Sequence, residues 1–511
     1  MVRSLYSGVS GLTNHQTRMD VIGNNIANVN TYGFKTYRVT FRDVLGQNTR
    51  SASAGSGAAA GNNPGSVGYG VMVGSIDRDM SMSSFQSTNK SLDLFISGDG
   101  FFVTTLFGSA PDGGTPLLTQ PPQDVNLTRN GAFSIDSRGR LTTTDNRFVM
   151  GMQNSTAGLF QSGGNSTTIL DEQTLGDNNN DNKITAADYT YENIIDINKL
   201  IQRAYNVHTD AAGLMYKYQM VTTPENENAQ PIYEDPSAAF MEAMWADENG
   251  DGYMDADLDF NGKLSYTEEL ARVAAIAEER TMPDGTVYGA VAPPEGQTFE
   301  RVACDKSGSI IQVNASNPIN VTFGTEAVVI DNYAAYLTAI DCIERVKAGK
   351  ALDTEPALTW EYGELTPQNV DECLSRLTNA AVDSANLKLG ELTYKDLSSF
   401  TIEPSGTIMV NYNSMLKGIA RLELGVVDNP EGLDQAGQTS YRETGASGVI
   451  GLKTPGDSGA GTIEAGKLEM SNVNLATEFS DMIVTQRGYQ ANSRIITVSD
   501  SMLEELVNLK R

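Results

Sequence analysis

At 511 residues the chain is too long for one hydrophobic core, and about three or four domains are expected. Its formal charge is −28, with +4 in residues 1–50 and −2 in 468–511, so the middle carries −30; that surface excludes nucleic acid and anionic lipid as partners and suits a cation or open water. Three cysteines (Cys304, Cys342, Cys373) and two histidines (His15, His208) exclude a disulfide framework, a Cys/His zinc site and a His-based triad, although the spacing leaves open whether one cysteine pair bridges.

The first predicted element is a helix with apolar residues at Val2, Leu5, Val9, Leu12, Met19, Ile22, Ile26 and Val29, a heptad-like stripe. It runs into GNNIANVNTYGFK at 23–35. Here Asn24, Asn25, Asn28 and Asn30 can bond backbone that leaves the helix, Gly33 permits a bend and Phe34 can anchor the outgoing chain. Residues 36–70 come next as an expected flexible linker, on the strength of the Gly/Ala/Ser tract at 51–70. Alternation then predicts strands: Val71 and Val73, Leu92 to Ile96, Phe101 to Val103, and a hairpin turning at Asp136–Gly139.

The acidic middle holds the one pattern with site chemistry. In 257–268, Asp257, Asp259 and Asn261 take positions one, three and five of an EF-hand loop, with Gly262 at the turn. Lys263 offers its carbonyl, Ser265 the ninth position and Glu268 the bidentate twelfth. A second loop, 177–188, places Asp177, Asn179, Asp181, Lys183, Thr185 and Asp188 in the same roles, but Asn182 replaces the turn glycine and the last carboxylate is Asp, as in the loops of dockerin modules. A third, at 247–258, offers Asp247, Asn249, Asp251 and Asp255 but ends in Leu258. Calcium is the expected ion, at the weak affinity of extracellular modules, Kd ~10⁻⁴–10⁻³ M. No nucleophile elbow, phosphate loop or catalytic carboxylate pair occurs, so no enzyme is expected.

Strand patterns return at Thr407–Val410 and Ile419–Leu424, and the chain ends in a helix capped by Asn474, with Leu475, Phe479, Met482, Tyr489, Ile496, Leu503 and Leu506 on its stripe. Neither terminal helix could stand alone in water. The expected fold is therefore mixed α and β and multidomain. It comprises paired, coiled-coil-like terminal helices (1–35 and 468–511), a mainly β domain from both flanks (71–155 and 400–467), and an inserted outer region, 156–400, of one or two subdomains. Leu5, Val9, Leu12, Met19, Ile26, Val29 and Phe34 join the C-terminal stripe as expected subunit-packing residues. No run approaches the ~20 apolar residues of a membrane span, and no apolar signal region follows Met1, so composition alone reads as cytoplasmic.

Several ordered blocks resemble the bacterial flagellar rod and hook proteins: GNNIANVNTYGFK, SLDLFISGDGFFV at 91–103, LTRNGAFSIDSRGRL at 127–141, ARLELGVVDNPEGL at 420–433, SYRETGASG at 440–448 and the segment from Leu468 to Arg511. The length sorts the chain with the hook subunits of that family, with a distal rod or other axial protein as the alternative and a calcium-dependent extracellular binding module as a second. The resemblance implies a helical homopolymer, a curved tube that passes motor torque to the filament as a universal joint. It implies partners in the rod, the hook cap, the hook–filament junction and the type III export apparatus, with an extracellular location reached without a cleaved signal peptide. Some family members crosslink neighbouring copies through a Cys and a Lys, and Cys304, followed by Asp305-Lys306, is the residue in this sequence to which that would apply.

Overall fold

The computed structural model describes residues 2–52, 63–106, 125–153, 194–209, 213–222, 231–245, 266–278, 280–281, 287–323, 326–347, 370–387, 389–437 and 439–509. Seven α-helices among them are α1 (Val2–Ala27), α2 (Ile197–Tyr205), α3 (Ala238–Trp245), α4 (Tyr266–Ile276), α5 (Tyr333–Lys347), α6 (Val370–Ser384) and α7 (Leu475–Leu509).

The two chain ends form one rod. Ser4 faces Ser499, Arg18 pairs with Asp481 at 3.0 Å and Asn25 reaches Glu478 at 3.1 Å, so α1 and α7 run antiparallel. Asn474 caps α7, its side-chain oxygen accepting from the Ala476 N–H at 3.0 Å. A β-ribbon lies along α1: the strand Tyr37–Asp43 pairs antiparallel with Val71–Arg78, and Gly46–Arg50 with Gly65–Gly68. Asn14 donates to the Val71 carbonyl at 2.5 Å, and the His15 ring meets Phe41 edge-on at 5.8 Å. The range 36–70, expected as linker, thus carries strands at both its ends. Tyr37, Val39 and Phe41 supply the alternation that the Gly/Ala/Ser tract obscured, and residues 53–62 of that tract lie outside the described residues.

The body is β structure shared between the flanks. Its larger sheet orders Asp434–Gly437, Ser440–Arg442, Asn126–Thr128, Phe101–Thr105, Phe148–Val149, Leu141–Thr143 and Phe133–Ile135, with Leu424–Val426 also paired to Phe101–Thr105. A second sheet orders Gly151–Gln153, Met415–Leu422, Thr407–Tyr412 and Ser399–Ile402. Leu94–Ser97 pairs with Thr462–Ala465, so strands distant in sequence share one core of Leu94, Ile96, Phe102, Leu141, Ile408, Leu422 and Ile463. The hairpin expected at Asp136–Gly139 is present, with Leu141 opposite Ile135.

Residues 194–207, expected inside the outer insertion, belong to the body's core. Ile197, Leu200, Ile201 and Ala204 recur at helical spacing, Asp196 caps the helix by accepting from Lys199 N–H at 3.1 Å, and the apolar face of α2 is buried on the sheets. Beyond it, Met215–Thr222 pairs with Gln297–Ala303 and Ile232–Glu234. This outer region holds two separate apolar clusters, one around Tyr336, Ile340 and Leu377 on α5 and α6, the other around Tyr218, Phe240, Met244 and Phe299.

Candidate assembly interface

The seam between α1 and α7 is built from small and polar side chains. A Cβ on Gly11 would stand 2.6–2.8 Å from the Asn492 amide, and one on Gly488 would stand 2.7 Å from the His15 ring. Thr485 and Ser499 are buried in the same line, seven residues either side of Asn492. Heptad spacing is thus present, but the residues that meet at the centre let the two backbones approach closely rather than fill a hole with apolar bulk.

The predicted packing residues divide accordingly. Leu5, Leu12, Met19, Ile26 and Val29 are partly covered, as are Met482, Ile496 and Leu503. Val9, Leu475, Phe479 and Tyr489 stay exposed on the outer flanks, while the side chain of Leu506 lies outside the described residues. Sequence reasoning missed Ile483, Val484, Ile495, Val498 and Met502, all exposed on α7. The signal that would have found most of them is the Thr485–Asn492–Ser499 heptad, since Ile483, Val484, Val498 and Met502 lie off that line; Ile496 and Ile495 nonetheless reach α1, 3.2 and 3.7 Å from a Cβ placed on Gly8. The rod therefore presents apolar flanks to whatever lies beside it.

Phe34 anchors the outgoing chain as expected and is too buried to pack against a neighbouring copy. It is buried within its own chain, tilted on the Tyr37 ring at 6.1 Å, where α1 gives way to the ribbon. The whole GNNIANVNTYGFK stretch is an intrachain elbow. Gly33 has φ +69°, and a Cβ there would sit 2.8 Å from Asn130 N, so a side chain is excluded twice over. Its N–H donates to the Glu469 carbonyl at 2.9 Å. Asn25 holds Tyr37 at both backbone groups, accepting from N–H at 3.0 Å and donating to C=O at 2.8 Å. Asn472 accepts from Thr36 N–H at 2.7 Å and donates to the Asp79 carbonyl at 2.8 Å.

At the centre of the elbow lies a charged cluster. The side chains of Lys35 and Glu469 are each 1% exposed and meet at 2.7 Å; Lys35 also donates to the Ser81 carbonyl at 2.7 Å, and Glu469 accepts from Ser83 N–H at 3.1 Å. Arg129 stands 3.6 Å from the other carboxylate oxygen, over the Phe101 ring, donating to the Gly98 carbonyl at 2.9 Å. Burial pulls Lys35 below the usual lysine range, against the attraction of Glu469 and with help from Arg129.

Of the predicted calcium ligands, Asp257, Asp259, Asn261, Lys263 and Ser265 lie outside the described residues, as do Asp177, Asn179, Asp181, Lys183, Thr185, Asp188, Asp247, Asn249 and Asp251. Glu268 is described: it is buried in the first turn of α4, beside Glu269, which forms a buried ion pair with Arg301. Cys304 is fully buried in the body's core, and its thiol is pushed up to about 12 by that burial. In this state it is neither accessible nor nucleophilic, and Lys306 is engaged with Asp396 at 3.0 Å.

Chain ends paired through a close polar seam, apolar flanks left outside it, and a body assembled from both flanks define a structural assembly subunit. Comparison with known proteins gives the class its family. Residues 464–509 match the family described as flagellar basal body rod FlgEFG protein C-terminal, and residues 5–35 match the flagella basal body rod protein family. The chain is 31% identical to flagellar hook protein FlgE of Borreliella burgdorferi and 31% identical to that of Treponema pallidum, each alignment covering 100% of both chains. It is 25% identical over 100% of both chains to flagellar basal-body rod protein FlgG of Bacillus subtilis. The chain belongs to the flagellar hook protein family, which is a structural family and not a family of enzymes. Among the described residues no helix is long and apolar enough to cross a membrane.

Proposed function

We propose that this chain is the structural subunit of a bacterial flagellar hook, polymerising helically into a curved, flexible tube that passes motor torque to the filament. The observation that carries this is the rod: its intrachain seam uses small residues and leaves Phe479, Ile483, Val484, Ile495, Val498 and Met502 uncovered. Identical copies packed side by side would bury those flanks, and head-to-tail contacts of that kind propagate because they do not close. The hook reading carries with it export through the flagellar type III apparatus and neighbours in the rod, the hook cap and the hook–filament junction. Cells lacking the protein should carry rods without hooks or filaments under the electron microscope; intact flagella would refute the reading, and a rod truncated short of its distal end would favour the distal-rod alternative.

The outer region supports a second role, calcium binding at 257–268 with 177–188 as its companion. The supporting observation is that α4 begins at Tyr266, which puts Glu268 in the first turn of the exit helix, while Arg272 of α4 donates to the Ala243 carbonyl of α3 at 2.7 Å. α3, ending at Trp245, and α4, starting at Tyr266, touch and bracket the stretch of chain that contains the loop sequence. Filling it would stabilise the outer region by mass action. Titrating the full chain with calcium should release or absorb heat and raise the melting temperature; the absence of both effects would sink the assignment.

A further inference from the structure

Two acidic side chains open α4, and both are buried: Glu268 and Glu269. Neighbouring residues on a helix point about 100° apart, so whatever fixes the rotation of the first turn fixes the direction of both carboxylates. Glu269 pairs with Arg301 on the strand Gln297–Ala303, each side chain 3% exposed. The Arg301 guanidinium lies over the Tyr216 ring, 4.4 Å from its centre. Tyr218, opposite Arg301 on the paired strand Met215–Thr222, stacks on Phe299 at 5.1 Å. Further along the same face of α4, Arg272 donates to the Ala243 carbonyl at 2.7 Å, and Ile276 shares a buried cluster with Phe240, Met241 and Met244. A buried ion pair is a costly way to hold a helix. Among the described residues Glu269 Oε1 has no hydrogen-bond partner, a further cost that an apolar side chain would avoid. What the pair provides is a fixed direction. Apolar contacts such as those of Ile276 tolerate a small rotation of α4, whereas a charge-assisted bond to an arginine clamped over Tyr216 does not. A bidentate calcium ligand needs that control: both oxygens of the twelfth-position carboxylate must stand about 2.3–2.6 Å from the ion, and turning the helix would withdraw one of them.

We propose that Glu269 and Arg301 are positioning residues for the calcium site at 257–268: neither is among the loop's ligands, but together they set the rotation of α4 that aims Glu268. This rests on the calcium reading of that loop. The coupling is reciprocal, so filling the loop tightens the strand Gln297–Ala303 that carries Arg301.

The test titrates the full chain with calcium alone by isothermal calorimetry, and follows amide hydrogen exchange of Gln297–Ala303 by mass spectrometry with and without the ion. Glu269→Gln keeps the volume and removes the charge. Its calcium Kd should rise about 10-fold or more, the scale of lost outer-shell support at metal sites, and the calcium-induced slowing of exchange in the strand should disappear. Should Glu269→Gln fail to fold, Glu269→Leu/Arg301→Met fills the same space with apolar side chains; it should fold and show the same weakening. Phe299→Leu, on the same strand, is the control: it loosens the cluster around Tyr218 without removing either charge, and its calcium Kd should stay at the wild-type value. Pair variants that bind calcium as tightly as the wild type, or a Phe299→Leu variant weakened as much as they are, would overturn the proposal and leave calcium binding itself standing. A wild type that binds no calcium would remove the calcium reading and the proposal with it.

Discussion

Replacing Gly488 by Ala and Gly23 by Ala should change stability differently, although both are glycines of terminal helices. At Gly23 nothing stands within 4 Å of the added Cβ, and the position is exposed. Ala there should stabilise by roughly 0.5–1 kcal/mol through helix propensity and reduced freedom of the unfolded chain. At Gly488 the same gain is opposed by a Cβ placed 2.7 Å from His15 Cε1 and Nε2. The imidazole cannot simply swing away, because it rests edge-on against Phe41 of the ribbon. Overpacking of this kind costs about 1–3 kcal/mol, so Gly488→Ala should come out neutral to about 2 kcal/mol destabilised. At about 2–8 °C per kcal/mol for units of ~60–250 residues, the two variants should melt apart by a few degrees. Thermal melts followed by far-ultraviolet circular dichroism on the polymer, where the rod is ordered by its neighbours, would measure this. Equal stabilisation by both substitutions would show that the helices do not approach as closely as the seam requires.

Three other outcomes are expected on the same structural grounds. Lys35→Ala should cost about 3–5 kcal/mol in chemical denaturation, because it strands Glu469 in a dry site beside Arg129 alone; a loss below about 1 kcal/mol would mean that water enters the elbow. His208, buried between Tyr216 and Tyr218, is held neutral down to about 3 by burial, with Arg301 and Arg203 adding to the effect. Its unfolded value is near 6.5, so its contribution is complete above that pH and is lost as pH falls from 6.5 toward 3, up to about 5 kcal/mol; His208→Phe should flatten the acid limb of stability against pH, and an unchanged limb would refute the assignment. Finally, Val498→Glu, on the uncovered flank of α7, should abolish polymerisation in a sedimentation assay while the outer region and body melt as in the wild type; normal polymer would place the intersubunit contact elsewhere.

The stripe from Leu5 to Val29, its counterpart from Leu475 to Leu503 and the returning strands around Ile96 and Ile463 were legible in the sequence, because each is a short-range periodicity and the two ends share the pattern. So was the class of assembly, since the blocks at 23–35, 91–103 and 468–511 resemble one family in order. What the local pattern could not decide is which face of a helix meets its own partner. Large apolar residues at heptad spacing suggested the seam; Ile496 does reach Gly8 of α1, but Gly11, Gly488 and Asn492 make the closest approach, because two backbones come nearest where side chains are smallest. The ribbon within 36–70 was hidden for a related reason: its strands are stabilised by α1 and by each other, contacts that composition does not encode. GNNIANVNTYGFK announced a bend through its asparagines and Gly33. Only the tertiary structure supplied Glu469 to Lys35 across more than four hundred residues of chain. The sequence determined that the ends pair and that the chain must turn outward there. Lys35, Arg129 and Glu469 meet at that turn only in the folded chain, because they lie far apart in sequence.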